Sequence, residues 1–177
     1  MKATSLLEKQ HRKVEGIFKK LESGRGDAPA LLRELADDLA AHMAIEQQIF
    51  YPAIRALKAD LIAESFEEHA VAELALKRLL STAPTAQSFK AKVTTLKELI
   101  EHHVEEEEEE LFPTVEKKMD ESELSELGKR MKAAFDNAVE QGFEALVPRS
   151  MSSTSADAAN KPAPKKNGRG PSASLRA

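Results

Sequence analysis

HMAIEQQIFYP, residues 42–52, and HVEEEEEELFP, residues 103–113, are two versions of one pattern. Each opens on a histidine, carries a glutamate four residues later and closes on an aromatic residue followed by proline. At the same offset of 61, Leu35 aligns with Leu96, Leu39 with Ile100, Met43 with Val104 and Pro52 with Pro113. A run of six glutamates would by itself read as a self-repelling, disordered segment. The register says otherwise: Glu107 is the partner of Glu46, and the apolar residues before His42 and His103 recur at helical spacing.

The repeat extends to a second pair of segments. At an offset of 58, His11 aligns with His69, Glu15 with Glu73, Phe18 with Leu76 and Leu21 with Leu79. A helical pair has therefore been used twice. Ser5 with Glu8 reads as a capping box for a first helix that stops at Gly24. A second helix starts at Ala28, and Pro52 should end or kink it. A third runs from Asp60 to Leu80 and a fourth from Ala86 to Phe112. Asp120 or Ser122 caps a shorter fifth that fades near Leu146. Long helices with short connections predict an all-α fold, an antiparallel four-helix bundle with one additional C-terminal helix.

Of 177 residues, 41% are apolar, enough for a packed core, and the absence of cysteine excludes disulfides, thiolate metal sites and cysteine nucleophiles. No apolar leader or span-length apolar run is present, so a soluble, cytoplasmic protein without a membrane partner is expected. Residues 1–147 carry the helical pattern and the acidic charge. Residues 148–177 are rich in Ser, Ala, Pro and Lys, with Asp157 as their only acid. That composition buries too little surface to order itself and predicts a disordered basic tail, whose partner, if any, is unknown. No phosphate-binding loop is present, and nothing basic and aromatic in the helical part points to nucleic acid.

Residues four apart on a helix lie on one face, with Cβ atoms about 5–6 Å apart. His42 and His103 continue the apolar stripes Leu32–Leu35–Leu39 and Val93–Leu96–Ile100, so they and Glu46 and Glu107 point inward. Ionisable groups on such a stripe are costly unless paired or bound to metal. Four of the five histidines (His11, His42, His69 and His103) fall in repeat register on four helices. With Glu46 and Glu107 they make a nitrogen–oxygen donor set suited to iron, manganese or zinc, and two carboxylates that span two ions favour a dinuclear centre. His102 lies about 100° around the helix from His103 and reads as surface. Glu105, Glu106, Glu108, Glu109 and Glu110 read as a solvated face. Glu15 and Glu73 complete the same spacing on the other two helices. They stand as further ligands or as acceptors for a ligand imidazole's second N–H. Tyr51, five residues past Glu46, should miss the metals on a regular helix unless Pro52 distorts the turn.

This ordered set, one His in the first helix, HxxxE with aromatic–Pro in the second, one His in the third and HxxxE with LFP in the fourth, resembles the hemerythrin-like, or HHE cation-binding, family. The opening LLEKQHRKVEGIFKKLE is similar too, although Gln10 stands where an Asp is common. The resemblance covers about residues 1–145. It implies that His11, His42, His69 and His103 are terminal ligands of two iron ions with a bridging oxygen, and that Glu46 and Glu107 bridge them. Oxygen-carrying members have a second histidine where this chain has Glu73, and an Asp where it has Glu108. The departure points away from simple oxygen carriage and toward an open site that reacts with oxygen, peroxide or nitric oxide, in a peroxide-decomposing (catalase-like) reaction or a stress response. An iron- or oxygen-responsive sensor without turnover is the alternative. A ferritin-like carboxylate protein fits less well, because only Glu8 with His11 makes the Glu-x-x-His pair that such bundles use.

Overall fold

The structure, a computed structural model, describes residues 1–147. Helices α1 (Ala3–Glu22), α2 (Ala28–Ile45), α3 (Tyr51–Ile54), α4 (Ala59–Leu80), α5 (Phe89–Glu106), α6 (Phe112–Lys118), α7 (Glu121–Gln141) and α8 (Phe143–Leu146) follow in order. Two π-helical turns, Glu46–Phe50 and Glu107–Leu111, run without a break between α2 and α3 and between α5 and α6. There is no strand among the described residues. Packing of α1 on α2 and α5, and of α4 on α5 and α2, closes a four-helix ring, the bundle expected from the repeat; α7 lies across α1 and α2. The expected tail, from Pro148 on, lies outside the described residues.

Two apolar clusters fill the ring. One gathers Val14, Phe18, Leu35, Leu39, Leu76, Leu79 and Leu96. The other gathers Leu7, Phe50, Tyr51, Leu111, Phe112 and Val115 with Leu124 and Met131 of α7. Along α1, Leu7 belongs to one cluster and Val14 to the other, so His11 falls in a polar layer between them. Each fully buried Leu or Phe contributes about 1.5–3 kcal/mol. The clusters therefore carry the fold, and the layer between them costs stability unless its charges are matched.

Helix ends differ from the sequence expectation in three places. α1 starts at Ala3, so Ser5 is inside the helix and caps nothing. Its start is set by α7 instead: the backbone of Met1–Ala3 lies so close to Gly128 that a Cβ there would collide with it. The fourth helix begins at Phe89 rather than Ala86. Neither Pro52 nor Pro113 ends its helix. Each sits in the first turn of the segment after a π turn, where its missing N–H is not needed by the ladder. At the start of α7 the backbone N–H of Asp120 donates to Glu123 at 3.2 Å, as a cap at that position requires.

Candidate metal centre

The polar layer is built from four helices. α1 supplies His11, α2 His42, α4 His69 and α5 His103, while Glu46 and Glu107 are the first residues of the two π turns. All six are buried, Glu46 and Glu107 almost completely. Each histidine turns Nε2 inward. His11 and His42 meet at 3.2 Å, and His69 and His103 at 3.0 Å. Glu46 stands between the pairs, with Oε1 3.2 Å from His42 and Oε2 3.4 Å from His69. Glu107 Oε2 lies 3.3 Å from His11 and 3.7 Å from His103. Two donors held about 2.1 Å from one ion are separated by ~3.0–3.4 Å, so all of these contacts but that between Glu107 and His103 have the length of polyhedron edges. One group is His11, His42, Glu46 and Glu107; the other is His69, His103 and Glu46.

The carboxylates test whether cations fit. Both oxygens of Glu46 and Oε2 of Glu107 are buried without a hydrogen-bond partner. A buried, ionised, unpartnered carboxylate costs several kcal/mol, and native interiors rarely tolerate one. Three orphaned oxygens facing four imidazole nitrogens match a pair of divalent or trivalent transition-metal ions.

Each imidazole is held from behind. The Nδ1–H of His11 donates to Glu108 at 2.8 Å, that of His42 to Gln10 Oε1 at 2.8 Å, and that of His103 to Glu68 at 2.7 Å. The side-chain amide of Gln47 pairs with His69 Nδ1 at 3.0 Å. Ligation through Nε2 places the proton on Nδ1, and Gln47 then receives it on its carbonyl oxygen after a half-turn of the amide. Glu108 also pairs with Arg12. Gln10, which stands where the resemblance places an Asp, thus accepts the His42 proton without carrying a charge.

The π turns explain Tyr51. In each turn the N–H of the residue after it (Tyr51 or Phe112) bonds the carbonyl five residues back, on Glu46 or Glu107. The widened turn returns residue i+5 toward the face of residue i. Tyr51 is therefore buried, and its hydroxyl donates to Glu107 Oε1 at 3.0 Å. A regular helix would have turned it away, so the distortion that the sequence left conditional on Pro52 is what occurs. Burial, then the neighbouring Glu107, pushes the Tyr51 hydroxyl well above its ordinary range, and it stays a proton donor.

Burial drives His42 and His69 well below the usual imidazole range. Burial opposes charge on His103 as well, but Glu107, Glu68 and Glu46 outweigh it and raise its pKa to about 9; His11 is raised, against burial, chiefly by Glu107. Without metal, His103 accordingly carries a proton at neutral pH. A cation needs its Nε2 lone pair, so metal uptake near neutral pH should release protons, and the release should shrink as the pH rises past about 9. Titration calorimetry in buffers of different ionisation enthalpy reads this directly; uptake with no proton release would contradict the ligand set.

The remaining candidates fall outside the two groups. Glu73 is buried on α4, and burial raises its carboxyl. Glu15 pairs with Lys19 at 2.6 Å and with Arg12. His102 is 63% exposed at its side chain. Glu110 is exposed and pairs with Lys58. Glu108, expected on a solvated face, instead closes over His11, because the π turn shifts the residues after Glu106 around the axis. Glu68 and Gln47 were not singled out by the sequence. Each reaches an imidazole on another helix, a pairing that no spacing within one helix reveals.

Residues 2–115 match the family model described as the Hemerythrin HHE cation binding domain, which leaves α7 and α8 beyond the matched segment. The crystal structure of a hemerythrin HHE cation binding domain-containing protein from Mycobacterium kansasii, a homolog of Rv2633c, superposes with a TM-score of 0.72 at 28% identity, covering 80% of this chain and 89% of that one. The uncharacterized protein Rv2633c of Mycobacterium tuberculosis is 26% identical over 144 residues, 77% of this chain and 86% of its own. A DNA nickase of Nostoc sp. is 24% identical over 139 residues, 76% of this chain but only 39% of the nickase. No helix among the described residues is long and apolar enough to cross a membrane. With buried histidines and glutamates converging in a helical bundle, and a family match over most of the bundle, the chain belongs to the hemerythrin HHE cation-binding family.

Proposed function

We propose that this chain holds two iron ions through His11, His42, Glu46, His69, His103 and Glu107, and that it binds and reacts with a small oxidant, with hydrogen peroxide the substrate to test first. Two neighbouring irons supply the pair of electrons that cleavage of an O–O bond requires. The observation that carries the reading is the space left beside the donors. A void of about 10 Å³ is lined by all four ligand histidines and by Val14, Leu39, Met43, Ile100 and Val104. Roughly 10–15 Å³ is what a single water needs, so the void excludes all but the smallest ligands, and hydrogen peroxide enters with a small shift of the neighbouring side chains. Two ions held there by four imidazoles and two carboxylates would keep positions free for a small ligand.

A cleft of about 250 Å³ between α1 and α5 gives access. It shares His11, Val14, Ile100 and Val104 with the inner void, and Arg12 and Glu108 stand at its mouth. Val14 and Ile100 are buried and Val104 partly buried, so these three form a dry neck that keeps bulk water and larger molecules from the centre. Glu108 fixes the orientation of His11, the ligand nearest the cleft. Tyr51 holds Glu107 from the opposite side.

Val104→Phe should therefore slow consumption of hydrogen peroxide by the iron-loaded protein about tenfold or more while iron content stays unchanged. Stopped-flow loss of peroxide, with iron measured on the same samples, checks it. Wild-type protein loaded with iron and inert toward peroxide, oxygen and nitric oxide would remove the reading.

A further inference from the structure

Glu68 of α4 uses both of its carboxylate oxygens. Oε2 accepts the His103 Nδ1 proton at 2.7 Å, behind the buried centre. Oε1 lies 3.6 Å from Nε2 of His102, and that nitrogen lies 3.6 Å from Glu106 Oε1 one turn along α5. Neither contact is short enough for a hydrogen bond. Both are close to the ~3.4 Å that separates two donors around one tetrahedral ion at 2.1 Å. The three side chains bring ligand atoms within 4.8 Å of one another.

A second observation points to a missing positive charge. Glu106 Oε2 is buried and has no hydrogen-bond partner. Two carboxylates thus flank one exposed imidazole, and solvent can reach the cluster because the His102 side chain is 63% exposed. An imidazole with carboxylates and water selects a first-row transition metal over magnesium or calcium, which prefer oxygen alone.

We propose that Glu68, His102 and Glu106 bind one divalent transition-metal ion at the surface, in a site separate from the buried centre and adjoining it through Glu68. The site does not depend on which metals fill the buried centre. Its ion is exchangeable, since three protein donors on a solvated face leave the rest of the coordination to water.

The test uses full-length protein whose buried metal content has been measured first. Cobalt(II) is titrated into wild type, His102→Ala and Glu106→Gln, followed by equilibrium dialysis and by the visible bands of the bound ion. Wild type should take up an additional equivalent of cobalt that both variants lose, with identical buried metal in all three. Equal cobalt uptake by the three proteins would overturn the proposal. So would loss of the buried metals in His102→Ala, which would place His102 inside the centre.

Discussion

Glu46→Gln should empty both halves of the metal centre. Its two carboxylate oxygens have no hydrogen-bond partner, and each faces a histidine from a different pair, His42 and His69. The amide keeps the size but removes the carboxylate whose two oxygens face the two histidine pairs, and its NH₂ would point a donor at a cation. Iron should fall from about two per chain to near zero, with helicity retained. Glu107→Gln should lose the metals too, because Oε2 faces His11 and His103. Glu109→Gln, on the exposed face, should keep full iron. Glu108→Gln should keep iron as well, since an amide oxygen can still accept the His11 Nδ1 proton, as Gln10 does for His42. Loss of iron in Glu108→Gln with retention in Glu107→Gln would remove the HxxxE assignment of α5.

Stripping the metal should cost the fold heavily. The layer between the apolar clusters holds four imidazoles and two carboxylates, and a proton on His103 replaces only part of the missing charge. A chelated sample should melt about 10 °C or more below the loaded one, the shift expected when several kcal/mol of binding energy are removed from a chain this size. Readdition of iron should restore the melting temperature. The clusters on either side bury Leu7, Phe18, Leu35, Leu79 and Leu96 independently of the metal, so far-UV circular dichroism should remain helical. Equal melting temperatures with and without metal would mean that the polar layer satisfies itself.

Much of this architecture is legible in the sequence because the repeat carries it. The apolar residues at three- and four-residue spacing, aligned at offsets of 58 and 61, locate four helices and assign one face of each to the interior. That the same face carries a histidine on every helix, with a glutamate one turn on, follows from spacing alone; that Glu46 and Glu107 rather than Glu15 and Glu73 reach the imidazoles does not. What could not be read are features decided between helices or by local departures from the ladder. Proline reads as a helix stop. Here the π turns before Pro52 and Pro113 let the helices continue, and they redirect Tyr51 and Glu108 toward the centre. Ser5 and Glu8 look like a cap, but the close approach of the N-terminal backbone to Gly128 sets the helix start. Glu68, adjacent to His69 in sequence, serves His103 across the helix pair, which no single-helix pattern predicts.

The central claim is that two ions share Glu46 and Glu107 at the meeting point of four helices. Mössbauer spectroscopy of protein loaded with ⁵⁷Fe, combined with iron and protein quantification, tests it most directly. The proposal predicts about two irons per chain and, in the oxidised protein with its bridging oxygen, an antiferromagnetically coupled, diamagnetic ground state, since both groups share the Glu46 carboxylate. A single paramagnetic iron per chain, or two uncoupled ones, would contradict it.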